Sequence, residues 1–203
     1  MELRTSSRRL TTVNVEATHS RRLLGGLFRA SLGYVKGIPT LGGQQDDGPA
    51  LGDPRSQFDK YTAEISYSRD FKFADMKWRV DSLTVAQWTP HTLFSEERVS
   101  IGGGSTVRGF RDESASGDQG GYSRLSISAE FPTHDSKIGR AVGTPTLFFG
   151  VDGGTIIDDK YDDFERGGLV SVSGGVTLRD GWIDGTLTYS RTLMAPDYFE
   201  EEP

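Results

Sequence analysis

Apolar and polar residues alternate with a period of two along most of the chain. Between Tyr61 and Tyr67, the odd-numbered residues are Tyr, Ala, Ile and Tyr, whereas the even-numbered residues are Thr, Glu and Ser. A similar alternation runs through 12–18, 124–131 and 183–190. Because successive side chains of a β-strand point to opposite faces, each segment predicts a strand with one apolar and one polar face.

This alternation, with the turn residues between the segments, predicts about eight strands. Several reach about ten residues or more, which is the length that a tilted strand needs to cross a bilayer. Strands of soluble proteins average about 5–6 residues. Trp78 and Trp88 stand about ten residues apart on one expected strand, a separation that fits two interfacial aromatic belts. The expected strands cover residues 9–20, 25–37, 58–71, 76–89, 121–132, 145–157, 168–180 and 182–193.

Short and long connections alternate between these strands. Short turns at one rim and long loops at the other are typical of outer-membrane β-barrels. The same strand pattern also fits a soluble β-sandwich or a lipocalin-like barrel. Segment 133–144 has an intermediate length and departs from the rule. The short connections lie near 21–25, 72–75 and 180–182, and the long ones at 38–57, 90–120 and 158–167.

The composition favours a barrel with a polar interior. Only 34% of the 203 residues are hydrophobic, and a water-filled barrel needs apolar side chains only on its lipid-facing half. The net charge of −6 and the lack of a basic stripe argue against nucleic-acid binding. No apolar segment approaches the roughly 20 residues of a membrane-spanning helix.

Candidates for a metal site, a cofactor site or catalysis are weak. The chain has no Cys, which excludes thiolate catalysis and Cys-bound zinc. His19, His91 and His134 are too far apart for metal-ligand spacing. The four Asp residues within 158–163 do not match the spacing of an EF-hand. With no nucleophile elbow either, we expect no enzyme, no metal and no cofactor.

The long connection 90–120 contains the most specific motif, Val107-Arg108-Gly109-Phe110. The tetrad follows Ser-Ile-Gly-Gly and precedes Ser-Gly-Asp-Gln-Gly. It resembles the hallmark loop of the superfamily that unites two-partner-secretion transporters with BamA-type assembly factors, and its framing is similar to that of the transporter branch. The framing residues are Gly102, Gly103, Gly117, Asp118 and Gly120.

The resemblance continues in the segments 148–154 and 187–199, which are similar to later strands of that family. In the family the loop folds into the lumen, and its Arg meets an Asp on the barrel wall. Arg108 matches the Arg, and Asp152 matches the Asp. Strand parity places Leu147, Phe149 and Val151 on one face, which should meet lipid. Phe148, Gly150 and Asp152 then share the inward face.

Two properties of these residues fit such a pairing. Gly150 has no side chain and leaves room for a loop to approach. A guanidinium matches a carboxylate as a two-pronged donor, which a Lys ammonium does not. Without the resemblance, Arg108 would be interpreted as a solvated loop residue and Asp152 as a lone inward acid.

The resemblance implies a sixteen-stranded antiparallel transmembrane barrel in the outer membrane of a Gram-negative bacterium. Such a protein exports a partner exoprotein, which is a haemolysin, an adhesin or a contact-dependent inhibition toxin. Its other partners are membrane lipid and the barrel assembly machinery. We expect residues 1–203 to be the C-terminal part of the barrel, without the POTRA domains and the last strand. The alternatives are a fragment of a BamA-type insertase and a soluble β-sandwich binding module.

Overall fold

Nearly all of the regular secondary structure in the described residues is β-strand. The computed structural model describes residues 9–46, 52–110, 113–131, 141, 143–158, 166–196 and 199. A 3₁₀ helix occurs at Ser95–Glu97. The strands are β1 (Thr12–Leu23), β2 (Gly26–Gly37), β3 (Asp59–Phe73), β4 (Met76–Trp88), β5 (Val99–Gly102), β6 (Ser114–Gly117), β7 (Gln119–Glu130), β8 (Thr144–Asp158), β9 (Gly167–Arg179) and β10 (Gly185–Met194).

Eight of these strands form one antiparallel sheet in the order β1-β2-β3-β4-β7-β8-β9-β10. Each strand pairs with its neighbours along almost its whole length. The all-β antiparallel class and the eight main strands are therefore confirmed. Strands β5 and β6 pair only with each other and form a small hairpin inside the connection between β4 and β7.

Two expected strand boundaries were wrong by several residues. β1 extends to Leu23, because Leu24 and Gly25 form a tight turn in which both φ angles are positive, as in the twisted turns of hairpins. β10 begins only at Gly185, because the amides of Trp182 and Ile183 donate to the carbonyl of Ala141 instead of pairing with β9. The expected strand 9–20 therefore lies about three residues too early at both ends, and the expected strand 182–193 starts about three residues too early.

The two faces of the sheet differ in polarity. We call the face that carries Asp152 the inner face, and the opposite face the outer face. Strand register places Arg124, Ser126 and Ser128 of β7 on the inner face, opposite Asp152, Gly150 and Phe148 of β8. The inner face of β3 and β4 is also largely polar. Its polar residues there are Lys60, Thr62, Glu64, Ser66, Ser68, Asp70, Lys72, Lys77, Arg79, Asp81 and Gln87.

The outer face is apolar and exposed. Phe149 is 53% exposed, and its strand neighbours Leu147 and Val151 are also exposed. The outer face of β7 continues this surface with Leu125 and Ile127. Exposed apolar side chains that adjoin one another on neighbouring strands are typical of contact with lipid or a protein partner.

Aromatic residues lie near both ends of the outer face. Tyr34, Tyr61 and Trp88 form a row beside the long connections, with ring centroids 5.2 and 5.5 Å apart. Phe71 and Trp78 stack at 6.4 Å beside the short turn 74–75. With strands tilted by roughly 40°, a separation of ten residues corresponds to about 25 Å, the height of the apolar band of a membrane barrel.

Some sequence-based expectations fall on residues outside the described ranges. They include most of the intermediate connection 133–144, Asp159, Asp162 and Asp163 of the Asp-rich connection, and the terminal residues 200–203.

No helix in the described part of the chain has the length and apolar character needed to cross a membrane.

Candidate functional site

The connection 89–118 folds back over the inner face of the sheet. Its hairpin, β5–β6, packs against residues of β8 and β9 that point inward. The resulting cluster contains Ile156 from β8 and Leu169 from β9, both fully buried. The connection contributes Val99, Ile101, Val107, Phe110 and Ala115 to this apolar cluster. We call residues 99–116 the tip of the loop, and residues 89–98 and 117–118, which join the tip to the sheet, its root.

The tip holds its shape through a compact turn between β5 and residue 110. Gly102 and Gly103 both have positive φ angles, a backbone conformation that residues other than Gly rarely adopt. The Thr106 hydroxyl donates to the carbonyl of Gly102, and the Gly103 amide donates to the carbonyl of Phe110. The turn buries Val107 and Phe110 and aims the intervening Arg108 at β8.

Arg108 binds Asp152 through a two-pronged contact. Its Nε lies 2.6 Å from Oδ2 and its Nη2 lies 2.7 Å from Oδ1 of the carboxylate. The Arg108 main-chain amide also donates to Oδ2, at 3.2 Å. The Asp152 side chain is 0% exposed and that of Arg108 is 13% exposed. The pair is therefore buried, and solvent screens it far less than it would screen a pair in an open, water-filled lumen.

Three further wall residues surround the pair. Ser126 accepts a hydrogen bond from Arg108 Nη2 at 3.0 Å, and the centroid of the Phe148 ring lies 6.0 Å from the guanidinium carbon. Arg124 Nε lies 3.7 Å from Asp152 Oδ1. Arg124 also donates to the carbonyl of Ser105 in the loop. Asp152 thus faces two guanidinium groups, one from the loop and one from the wall.

The loop backbone approaches the wall closely at two glycines. The Gly109 amide donates to Ser171 Oγ at 3.1 Å, and its carbonyl accepts from Thr192 Oγ1 at 3.3 Å. A Cβ atom at Gly109 would overlap the Ser171 side chain, and one at Gly150 would overlap the Arg108 guanidinium. At Gly150 a side chain could fit only if the Arg108 guanidinium moved away.

The substitution Gly150→Ala is expected to displace Arg108 from Asp152. The new methyl group would occupy the space of the guanidinium, so the buried carboxylate would lose charge-assisted hydrogen bonds, at a cost of about 1.5–3 kcal/mol. Limited proteolysis of the full-length protein should then cleave within 89–118 faster than in the unmodified protein. The control is Gly153→Ala on the same strand, where a Cβ would meet the Leu169 carbonyl at an ordinary 3.5 Å. Equal cleavage of the two variants would contradict this assignment.

The root of the loop is fixed to the wall by polar contacts. Asp118 is 5% exposed; its carboxylate accepts from the Leu93 amide at 3.0 Å and lies 3.3 Å from Arg98 Nε. Gly117 and Gly120 flank it at buried positions where a Cβ would overlap Ile156 or the backbone of β8. Lys60 of β3 contacts Glu97 of the loop.

The sequence-predicted site residues therefore form two groups, one around the tip of the loop and one at its root. The structure brings together the tetrad 107–110, the wall residues Phe148, Gly150 and Asp152, and the turn residues Gly102 and Gly103. Gly117, Asp118 and Gly120 lie at the root instead. Sequence reasoning missed the partners Lys60, Gln87, Arg124, Ser126, Ser171 and Thr192; strand parity on β3, β4, β7, β9 and β10 is the signal that places each of them on the inner face.

Three comparisons relate the chain to known proteins. The family model of the haemolysin secretion/activation protein ShlB/FhaC/HecB matches residues 1–178. The outer membrane transporter CdiB of Escherichia coli is 33% identical over 196 residues, which cover 97% of this chain and 32% of that protein. The hemolysin transporter protein ShlB of Serratia marcescens is 30% identical over 179 residues, which cover 88% of this chain and 30% of that protein. The chain thus spans about a third of the length of these curated relatives.

A solved structure has the same fold. CdiB from Escherichia coli superposes with a TM-score of 0.83 at 32% identity, over 97% of this chain and 35% of that chain. This likeness confirms the predicted antiparallel barrel fold. The described strands do not close the barrel by themselves, because β1 and β10 stand at opposite edges of the sheet.

Proposed function

Because this chain belongs to the ShlB/FhaC/HecB family of haemolysin secretion/activation proteins, we propose that it forms part of an outer-membrane transporter that exports a large partner protein. The export is two-partner secretion, and the partner is a haemolysin, an adhesin or a contact-dependent inhibition toxin. One observation carries the proposal: the loop that bears the Val-Arg-Gly-Phe tetrad is docked on the polar inner face through the buried Arg108–Asp152 pair.

The polarity of the two faces fits this role. The exposed apolar outer face, with aromatic residues near both of its ends, suits contact with the hydrocarbon region and its interfaces. On the inner face, Ser66, Ser68 and Ser128 contribute to a polar surface to which an unfolded polypeptide would not adhere through apolar contacts. The exoprotein would pass along this face while its backbone stays hydrated.

In this proposal the Arg108–Asp152 pair fixes the position of the loop within the conducting path. The pair contributes charge-assisted hydrogen bonds between the loop and the wall. Export would require neither nucleotide nor metal, and folding of the exoprotein outside the cell would supply the driving force. Arg108 and Asp152 therefore act by positioning the loop.

We further propose that this chain is the C-terminal part of a sixteen-stranded barrel in the outer membrane of a Gram-negative bacterium. The complete protein would carry POTRA domains and the last strand in addition, and it would be inserted by the barrel assembly machinery. The relatives' greater length supports this proposal. Lipid contacts the outer face in this arrangement.

The alternatives fit the observations less well. A BamA-type insertase shares the tetrad, but the matching family model and the curated relatives are those of secretion proteins. A soluble β-sandwich requires a second sheet against the apolar face. Among the described residues, the second sheet is the β5–β6 hairpin, and it packs on the inner side instead.

Disruption of the gene should abolish export of one exoprotein. Cells that lack the complete transporter are expected to retain that exoprotein, and a plasmid copy should restore it to the medium. The measurement is the amount of exoprotein in medium and periplasm, with an unrelated outer-membrane protein as the control for envelope integrity. Unchanged secretion of every large exoprotein in the disrupted strain would overturn the proposal.

A further inference from the structure

Lys60 is a nearly buried cation on the inner face of β3, beside the root of the loop. The residue is 9% exposed. Its ammonium contacts Glu97 Oε2, lies 3.1 Å from the main-chain oxygen of Glu97, and stands 5.9 Å from the centroid of the Phe58 ring. Glu97 ends the 3₁₀ helix Ser95–Glu97 in the first arm of the loop. The contact therefore joins the barrel wall directly to the loop.

Gln87, on the adjacent strand β4, contacts both arms of the loop. Its Nε2 donates to the carbonyl of Glu97 at 3.0 Å and to the carbonyl of Asp118 at 3.1 Å. Arg98 and Asp118 link the two arms to each other, with Nε and Oδ1 3.3 Å apart. We call Lys60, Gln87, Glu97, Arg98 and Asp118 the stem cluster. The root of the loop that this cluster holds is its stem.

The stem cluster and the tip contact different strands. Stem contacts arise from β3 and β4, whereas Arg108 meets Ser126 of β7 and Asp152 of β8, and Gly109 meets Ser171 of β9. The two sets share no residue. Independent anchors of this kind are expected to contribute additively to loop position.

The charge of Lys60 makes the stem contact strong. A nearly buried ammonium that loses its carboxylate partner is left desolvated and unpaired, which is far less favourable than an exposed pair that separates in water. Lys60 belongs to the inner face of β3, and its ammonium forms an ion pair with the carboxylate of Glu97 in the loop. Loss of the Glu97 carboxylate while the stem stays docked would therefore impose this cost on Lys60.

We propose that Lys60 is a positioning residue of the loop, which holds Glu97 and fixes the stem to β3 and β4 independently of the Arg108–Asp152 pair. The inference deepens the proposed function and rests on it only where secretion is measured. The position of the loop itself is testable without any exported partner.

Two buried positions serve as reporters, because this chain has no Cys of its own. Leu93 lies in the stem and is 0% exposed, and Ala115 lies in the tip and is 1% exposed. Leu93→Cys and Ala115→Cys are introduced separately into a cysteine-free version of the complete protein in outer membranes. The rate of maleimide labelling of each thiol then reports the opening of one part of the loop.

Lys60→Met is expected to raise labelling of the Leu93→Cys thiol roughly tenfold to a hundredfold, because a charge-assisted buried contact is lost. Labelling of the Ala115→Cys thiol should stay unchanged. Glu97→Gln should act in the same direction, and Lys60→Arg should restore most of the protection. The matched control is Lys77→Met, because the Lys77–Glu130 pair spans 3.0 Å but its side chains are 71% and 44% exposed.

Equal labelling of the stem thiol in Lys60→Met and Lys77→Met would overturn the inference. So would a parallel rise of both reporters, which indicates general loosening rather than loss of one anchor. Lys60→Met should also lower secretion at an unchanged level of barrel in the membrane. If the labelling pattern is as expected but the unmodified protein secretes nothing, the anchor is supported and the proposed function is contradicted.

Discussion

Arg108→Ala is expected to release the tip of the loop and to raise labelling of the Ala115→Cys thiol by about a hundredfold or more. Removal of one partner from a buried ion pair costs about 3–5 kcal/mol, because the other charge stays desolvated. Asp152, at 0% exposure, is such a group. Arg124, 3.7 Å from the same carboxylate, should take over part of the interaction and keep the loss near the lower end of that range.

Asp152→Ala should release the tip by a similar amount, and the double variant should do little more harm than either single one. Both changes remove one shared contact, so their effects are not additive. Arg108→Lys should protect the thiol only in part, since an ammonium cannot make the two-pronged contact. Arg179→Ala, at an inner-face arginine of β9, is the control and should leave labelling unchanged. Additive effects would mean that Arg108 and Asp152 are not coupled.

Phe149→Arg is expected to impair assembly of the barrel in the membrane. Phe149 is an exposed residue of the outer face in the middle part of β8, and an arginine near the bilayer midplane of a barrel costs about 2–4 kcal/mol. The amount of folded, heat-modifiable barrel in outer membranes should therefore fall.

The matched control places the same side chain on the other face. Thr177→Arg on the neighbouring strand β9 adds an arginine to the inner face, where water is available, and should leave the amount of folded barrel close to that of the unmodified protein. Comparable losses in both variants would contradict the assignment of the outer face to lipid.

The alternating pattern was sufficient to predict the eight main strands and their faces. Parity alone placed Asp152 on the same face as Gly150, because side-chain direction in a strand is fixed by position. Boundaries were less accurate at β1 and β10. The sequence places a short connection near 21–25, but Arg21, Arg22 and Leu23 continue the strand.

The hairpin β5–β6 was not predicted. Its strands contain only four residues each, with Ser and Gly in both, so no alternation is long enough to detect. Only the family resemblance of the tetrad predicted that the loop folds back over the inner face. Its apolar residues Val107 and Phe110 gave no local signal that they would meet Ile156 and Leu169 across the sheet.

The burial of the ion pair also differs from the sequence-based picture. An inward carboxylate on a polar barrel wall is expected to be wet and partly screened. In the structure the loop itself covers Asp152 and excludes water, because the apolar cluster seals the region on one side. The sequence also did not predict the contact of Lys60 with Glu97, because this contact depends on how the loop folds back onto β3.

The most direct test of the central claim is a double-mutant cycle on secreted exoprotein, in cells that carry the complete transporter at equal levels in the outer membrane. We expect Arg108→Ala and Asp152→Ala each to lower the exoprotein in the medium strongly, and the double variant to lower it by no more than either alone. Secretion by Arg108→Ala at the level of the unmodified transporter, or losses that add in the double variant, would contradict the claim that this pair positions the loop for export.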